Sequence, residues 1–459
     1  MDRWLGAALE YIPSWLSYQV EHGQQPGALA AVVQRGKVVL ECAAGQADTG
    51  SGERLTPRHR FRIASHSKTF TAAGILKLHE QGKLRLDDPV GRFVPGLHRK
   101  TAQVTVRQVL SHSAGLVRDG ADSGAFDGRH PFPGTDELRA EFAAAPIIDA
   151  GVRLKYSNRG YALLGMLIEA IAGESYAKWM SREIVAAAGL RATTTDMPLP
   201  RGTPFVRGHT MHLPLGRRVP IRGDYRMAAV APAGGFVATA SDTALFFNQL
   251  SPKTRQSILS PASRREMTHR LWRNPGSVVE GYYGLGTMSG TSAGWSWFGH
   301  GGSLPGYVSR TLTVPDLDLT VTVCANASDG WAHPWMEGLL SIFRTFATNG
   351  PPSRRVAGWR GRWWTMYGGL DLVPMGNKIV VGSPYAWLPF ADTTEFDLTG
   401  RDKGRIIAAT GYGSYGEGVR RVRDKAGRVV EVWLGATRTV GRGRAVGEMK
   451  RRLERKRRS

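Results

Sequence analysis

The chain of 459 residues, 42% hydrophobic and 22% charged, has a globular composition with room for two or three domains and a large core. Its net charge of +23 (61 basic against 38 acidic side chains) invites a nucleic-acid reading, but no zinc-ligand spacing or RNA-binding aromatic pattern accompanies it, so a solvated basic surface and no specific nucleic-acid partner are expected. Two cysteines, Cys42 and Cys324, each in an apolar strand-like stretch, exclude a disulfide framework.

In the first twenty residues Trp4, Leu5, Ala8, Ile12, Trp15 and Leu16 recur at helical spacing, and Glu10 interrupts the apolar run. That pattern predicts an amphipathic helix packed on the following domain, not a signal peptide. The uncharged run 227–241 is too short for a membrane span and holds Pro232, Gly234 and Gly235. A cytoplasmic protein without a membrane span is the expectation.

Residues 28–44 read as a β-hairpin turning at Arg35-Gly36. Residues 67–82 read as a helix with Phe70, Ile75, Leu76 and Leu78 on its apolar face. A short helix over 106–110 runs into Ser111-His112-Ser113-Ala114-Gly115, and an apolar helix covers 160–172. Residues 196–235, rich in Pro, Gly and Arg, read as a long loop excursion. A helix over 243–250, strands over 282–286, 295–298, 308–314 and 319–325, and a helix over 336–345 follow. With strands at both ends and helices between them, residues 1–347 are expected to be α+β: an antiparallel sheet built from the two ends and packed against a helical cluster. Past Asn349-Gly350-Pro351-Pro352, short alternating stretches (378–381, 394–398, 405–409, 420–423, 429–434) predict a small, lipocalin-like β-barrel over 348–442. A basic tail over 443–459 reads as a solvated helix end or disordered segment.

Ser65-His66-Ser67-Lys68 heads the predicted helix over 67–82. On a helix, residues i and i+3 share a face, so an ammonium or amine lies beside a hydroxyl where orphan N–H groups favour negative charge. Serine needs such help to act as a nucleophile. A second copy, Ser175-Tyr176-Ala177-Lys178, follows Gly173 and reads as a helix start capped by Ser175. Downstream of the first copy come Tyr156-Ser157-Asn158, on a turn before a helix, and His300-Gly301-Gly302, in a strand-rich stretch.

The order Ser-x-x-Lys, Tyr-x-Asn, His-x-Gly resembles the serine β-lactamase and penicillin-binding superfamily, in its class C–like branch of DD-carboxypeptidases, D-aminopeptidases and esterases. The phrases around 61–65, 109–113, 232–235 and 299–306 resemble that branch too. The resemblance, over about residues 25–345, implies a β-lactamase-like fold and acyl transfer through a serine ester, with no metal or organic cofactor. It implies Ser65 as nucleophile and Lys68 as the group that eases its deprotonation. Tyr156 would be general base and acid, its phenolate favoured by nearby cations. Asn158 would bind the acyl-side amide of the substrate, and His300 would take the place where many relatives have lysine. The backbone N–H groups of Ser65 and Ser303 would form the oxyanion hole. His112 reads as a loop-packing residue beside the site. Gly301 stands where the commoner triplet has a threonine that binds a substrate carboxylate, and Gly302 completes the triplet. Glycine at 301 counts against β-lactam binding and DD-carboxypeptidase action, and the expected activity is that of a D-aminopeptidase- or DD-peptidase-like peptidase or an esterase. The expected partner is thus a small molecule or short peptide. The alternatives are a class C–like β-lactamase, an inactive binding relative, or a polyanion-binding protein whose tail matters most.

Three further motifs read as structural. Gly290-Thr291-Ser292-Ala293-Gly294 matches a nucleophile elbow but lacks the following helix. The run 411–416, with Glu431 twenty residues on, matches a dinucleotide fingerprint but leaves no length for a crossover helix. His209 and His212 lack a third ligand in sequence.

Overall fold

An antiparallel sheet organises the larger part of the chain. The computed structural model describes residues 1–276, 280–410 and 413–456. Among them, nine strands run in the order Glu53–Arg54, Lys37–Asp48, Gly27–Gln34, Leu319–Ala325, Tyr307–Val314, Trp295–Leu304, Met288–Ser292, Gly281–Tyr283 and Trp272–Arg273. The N-terminal hairpin joins the late strands through Gly27–Gln34, whose partner along its length is Leu319–Ala325. Arg35 (φ 52°) and Gly36 (φ 75°) make its two-residue turn, both left-handed as a tight hairpin between twisted strands requires.

The sheet packs on helices from the middle of the chain. Phe246, from helix Ala240–Gln249, stacks on Phe70 of helix His66–Glu80 at 3.7 Å between ring centroids. Helix His66–Glu80 is buried nearly all round, because neighbours cover its polar side as well as the expected apolar face. The hydroxyl pairs Thr311–Thr322 and Thr313–Thr320, each at 2.9 Å, join strands Tyr307–Val314 and Leu319–Ala325 inside the core. Residues 196–235 carry only short elements, such as the strand pair Gly208–His209 and Pro220–Ile221.

The chain divides into two compact units, Gln24–Met336 and Met1–Gly23 with Glu337–Ser459. Helix Arg3–His22 therefore belongs with the C-terminal unit, whereas the sequence pattern assigned it to the domain that follows it. Gln19 Nε2 donates to the carbonyls of Pro384 (2.6 Å) and Ala386 (3.1 Å), and the Tyr11 hydroxyl donates to Asp371 (2.9 Å). Helical periodicity shows that a face is buried and says nothing about its partner.

In the same unit, eight strands among the described residues close into a barrel that runs in chain order from Gly361–Thr365 to Thr437–Val440. Leu372, Ile379, Phe396, Ile406, Val419 and Val432 fill it. Strand Gly368–Met375 escaped the sequence pattern because it holds Pro374 and the buried Asp371, both poor strand signals. The basic tail begins as helix Arg442–Lys456, where Ala445 is buried and Arg444 pairs with Glu448 one turn on. Residues 457–459 of that tail, and Gly411 and Tyr412 of the glycine-rich run, lie outside the described residues. After that run the chain enters strands Gly418–Arg423 and Val429–Leu434 with no crossover helix, so the dinucleotide pattern has no counterpart in the fold. Among the described residues no helix is long and apolar enough to cross a membrane.

Candidate active site

Ser65 stands at the N-terminal cap position of helix His66–Glu80, with its hydroxyl making no capping bond. The chain reaches it through Ala64, at φ 49°, a left-handed conformation that costs a non-glycine residue energy and presents the next side chain at a sharp turn. The first turn of the helix is tied down by side chains that follow Ser65. Ser67 Oγ donates to Ala64 O (2.6 Å) and accepts from Phe236 N–H (3.0 Å). Thr71 Oγ1 donates to Pro232 O (2.7 Å). The phrase Pro232-Ala233-Gly234-Gly235 is thus held alongside the helix. His66 Nδ1 lies 2.9 Å from Ile63 O, and its Nε2 lies 2.9 Å from Thr311 Oγ1, which fastens the helix start to the sheet.

Lys68 Nζ lies 3.1 Å from Ser65 Oγ and donates to Ala233 O at 2.7 Å. Its side chain is wholly buried, and no carboxylate pairs with it among the described residues. Burial holds its pKa well below that of an ordinary lysine; Asp119 opposes this and Arg118 reinforces it. The second copy of the pattern differs throughout. Ser175 makes no side-chain cap, Glu169 Oε1 accepts the Tyr176 N–H instead (2.9 Å), and the Lys178 side chain is 73% exposed beside Glu174. The capping expected of Ser175 is therefore absent, and a carboxylate from the preceding helix satisfies the first free N–H instead.

Tyr156 lies against this pair. Lys68 Nζ is 4.8 Å from its ring centroid, and the Arg118 guanidinium is 5.5 Å from it. Burial nevertheless pushes the phenol pKa up; the hydrogen bond to Ser65 and the charge of Arg118 oppose this and are outweighed. The phenolate expected at Tyr156 is therefore corrected to a neutral phenol, since desolvation disfavours the anion by more than the cations favour it.

The turn 156–158 is clamped to the loop after helix Val106–Leu110. Ser157 N–H donates to His112 Nδ1 (3.1 Å), Ser157 Oγ donates to Val117 O (2.6 Å), and Asn158 N–H donates to Arg118 O (2.9 Å). Asn158 Nδ2 donates to Asp119 Oδ1. His112, at φ 57°, stacks its ring 4.1 Å from that of Tyr156.

His300 lies in strand Trp295–Leu304, fully buried. Its Nδ1 is 2.6 Å from Gly301 O and so carries the proton, which leaves Nε2 to accept from the Tyr283 hydroxyl at 3.1 Å. Burial, helped by His66 and Lys68, depresses its pKa well below the usual range. His300 is neutral and set behind Tyr283. Gly302 permits close approach: a Cβ there would meet Ile63 O at 2.2 Å and Ser309 Oγ at 2.6 Å. At Gly301 a Cβ would only touch Arg310 and His333, at 3.4 Å.

Ser65, Asn158 and Ser303 line one cavity of about 260 Å³ with Arg118, Asp119 and Phe126. Lys68, Tyr156 and His300 are not among its lining residues. Arg118, Asp119 and Tyr283 had no motif to mark them. The one signal was the position of the first two just past the Ser111–Gly115 phrase. Ser292, in the elbow-like motif, lies in strand Met288–Ser292, which turns at Ala293-Gly294 into Trp295–Leu304; no helix follows. His209 is committed to Asn326 O (2.9 Å) through Nδ1, and its Nε2 accepts from Thr49 N–H (3.3 Å).

A family model described as Beta-lactamase matches residues 13–334. Protein flp of Staphylococcus aureus (strain N315) is 29% identical over 176 residues, 38% of this chain and 35% of that protein, so the chain spans about a third of the length of that relative. Penicillin-binding protein 4 of Amycolatopsis lactamdurans is 27% identical over 331 residues, 66% of this chain and 81% of that protein. Among solved structures, D-amino acid amidase from Ochrobactrum anthropi SV3 superposes with a TM-score of 0.63 at 25% identity, over 74% of this chain and 97% of that one. An octameric penicillin-binding protein homologue from Pyrococcus abyssi superposes with a TM-score of 0.66 at 21% identity, over 94% of this chain and 99% of that one, a likeness of fold.

Proposed function

The chain belongs to the beta-lactamase family, and from that premise we propose that it is a serine hydrolase that cleaves amides or esters through an acyl-enzyme on Ser65, with D-amino acid amidase, D-aminopeptidase or esterase substrates. The observation that carries this reading is the buried Lys68 amine 3.1 Å from Ser65 Oγ. With its pKa depressed, the amine is neutral more readily and can take the Ser65 proton as the oxygen attacks a carbonyl. The Tyr156 phenol, hydrogen-bonded to Ser65, suits the next step as a relay: it gives its proton to the leaving group as it takes the one Lys68 removed from Ser65, so the phenol is neutral before and after. The Ser65 and Ser303 N–H groups face the developing oxyanion, and Asn158, oriented by Asp119, meets the substrate amide. His300 acts through Tyr283, as a positioning residue. Water then hydrolyses the ester with the same groups reversing roles.

Glycine at 301 supports substrates without a carboxylate beside the scissile bond, since no hydroxyl is available there. On this reading the unit Gln24–Met336 is the catalytic one, in place of the 1–347 expected from sequence, the barrel unit is non-catalytic, and the protein is cytoplasmic.

The test is labelling by a fluorophosphonate, with turnover of D-aminoacyl amides, short-chain esters and a chromogenic cephalosporin run side by side. Ser65→Ala is expected to abolish labelling and turnover, while Ser175→Ala and Ser292→Ala keep both. Labelling that survives Ser65→Ala overturns the assignment. A parent protein that takes no label is instead an inactive relative.

A further inference from the structure

A second cavity, of about 1100 Å³, adjoins the Ser65 cleft. The two share Phe126, and Met227 of the cleft lies in sequence between Arg226 and Ala228 of the larger groove. One wall is aromatic and fixed. Phe126 meets Phe132 edge to face at 5.0 Å, and Phe132 stacks on Tyr225 at 5.7 Å. Beneath Tyr225 lies the fully buried Arg62, its guanidinium 4.1 Å from the ring centroid and donating to the carbonyls of Gly223 and Tyr225. Met211, 49% exposed, and Ile221 extend the apolar surface.

Two of the three arginines that line the groove are paired with carboxylates. Arg129 is held by Asp122 and Asp127, and Arg222 lies 4.0 Å from Asp224. Arg226 is exposed and has no hydrogen-bond or ion-pair partner among the described residues. The groove thus offers aromatic and aliphatic walls with one unpaired guanidinium, in a volume far beyond a single amino-acid side chain.

We propose that this groove is an extended substrate subsite that takes a short peptide with apolar side chains and an anionic end seated at Arg226. The inference rests on the hydrolase reading for its meaning: a substrate in the groove reaches Ser65 past Phe126. It makes the single aminoacyl amide a minimal substrate and the apolar, anionic peptide the full one.

The test uses the full chain carrying Ser65→Ala, with succinyl-Phe-Leu-Phe amide and acetyl-Phe-Leu-Phe amide, in D and L forms, titrated by calorimetry. The succinyl peptide of one hand is expected to bind more tightly than its acetyl counterpart. Arg226→Glu is expected to weaken the succinyl peptide by about five- to tenfold and abolish the preference. Met211→Glu is expected to weaken both peptides. In the parent protein the succinyl peptide should inhibit p-nitrophenyl acetate turnover competitively. No binding, binding unchanged by both variants, or non-competitive inhibition overturns the proposal. A parent protein that neither hydrolyses the acetate nor takes a fluorophosphonate overturns the hydrolase reading instead, and the calorimetry still reports on the groove.

Discussion

Lys68 and Lys178 each follow a serine by three residues, and burial separates them. Lys178 keeps water around its ammonium and has Glu174 beside it; Lys68 has a serine oxygen and a carbonyl. Removing the buried amine takes away the proton acceptor without opening the surface. Lys68→Ala should keep the fold, read by circular dichroism, while acylation by a fluorophosphonate slows by about 10²–10⁴-fold, the usual worth of a positioned base; acylation at the parent rate removes Lys68 from the mechanism. Because the Lys68 pKa is lowered and that of Tyr156 raised, acylation should rise with pH through a transition below the ordinary lysine value of 10.5. It should show no fall at the ordinary tyrosine value of 10.0. A bell with its alkaline limb at that value would restore the phenol as an ionising group. His66 gives a separate stability prediction. Burial pulls its pKa from 6.5 to about 3, so on acidification the unfolded chain takes up a proton that the folded chain refuses. Stability is full above pH 6.5 and falls as pH drops toward 3. The melting temperature followed over that window should decline, and His66→Gln should flatten part of the decline.

At the scale of elements, the site depends on how closely strand Trp295–Leu304 approaches the start of helix His66–Glu80. The approach is possible because residue 302 has no side chain. Gly302→Ala should push the strand from the helix, cost about 1–3 kcal/mol in denaturant unfolding and lower turnover, as overpacking of a filled interior does. Gly301→Ala, with only ordinary contacts ahead of it, should do neither. Equal effects of the two substitutions would show that the close approach does not matter. The sequence pattern placed this strand at 295–298. Beyond Phe298 the run Gly299-His300-Gly301-Gly302 loses every β-forming side chain, and only pairing with Tyr307–Val314 carries it to Leu304. The motif was visible; the strand beneath it was not.

At the scale of the whole molecule, the ends of the chain share one compact unit with the barrel. Trp15, Tyr11 and Gln19 bury themselves there, with Gln19 bonded to backbone in the segment 384–386. Deleting 350–459 should therefore uncover the part of helix Arg3–His22 that packs on the barrel side, around Tyr11 and Gln19, and give a less stable, aggregating product. Deleting 449–459 should not. A monodisperse 1–349 chain with the parent melting temperature would overturn this. Fold class, the order of the Ser-x-x-Lys, Tyr-x-Asn and His-x-Gly motifs and most barrel strands were legible in the sequence, because apolar periodicity and turn residues act locally. The unit to which the first helix belongs was not, since an amphipathic face carries no address. By itself the sequence determined the chemistry on offer: a serine, a lysine one helical turn away, a tyrosine and an asparagine on a turn. Only the tertiary structure decided which serine–lysine pair is dry, that burial works against a Tyr156 phenolate, and that His300 is turned to Tyr283. Each of those depends on how much water the packed chain leaves around a polar group, which no local pattern encodes.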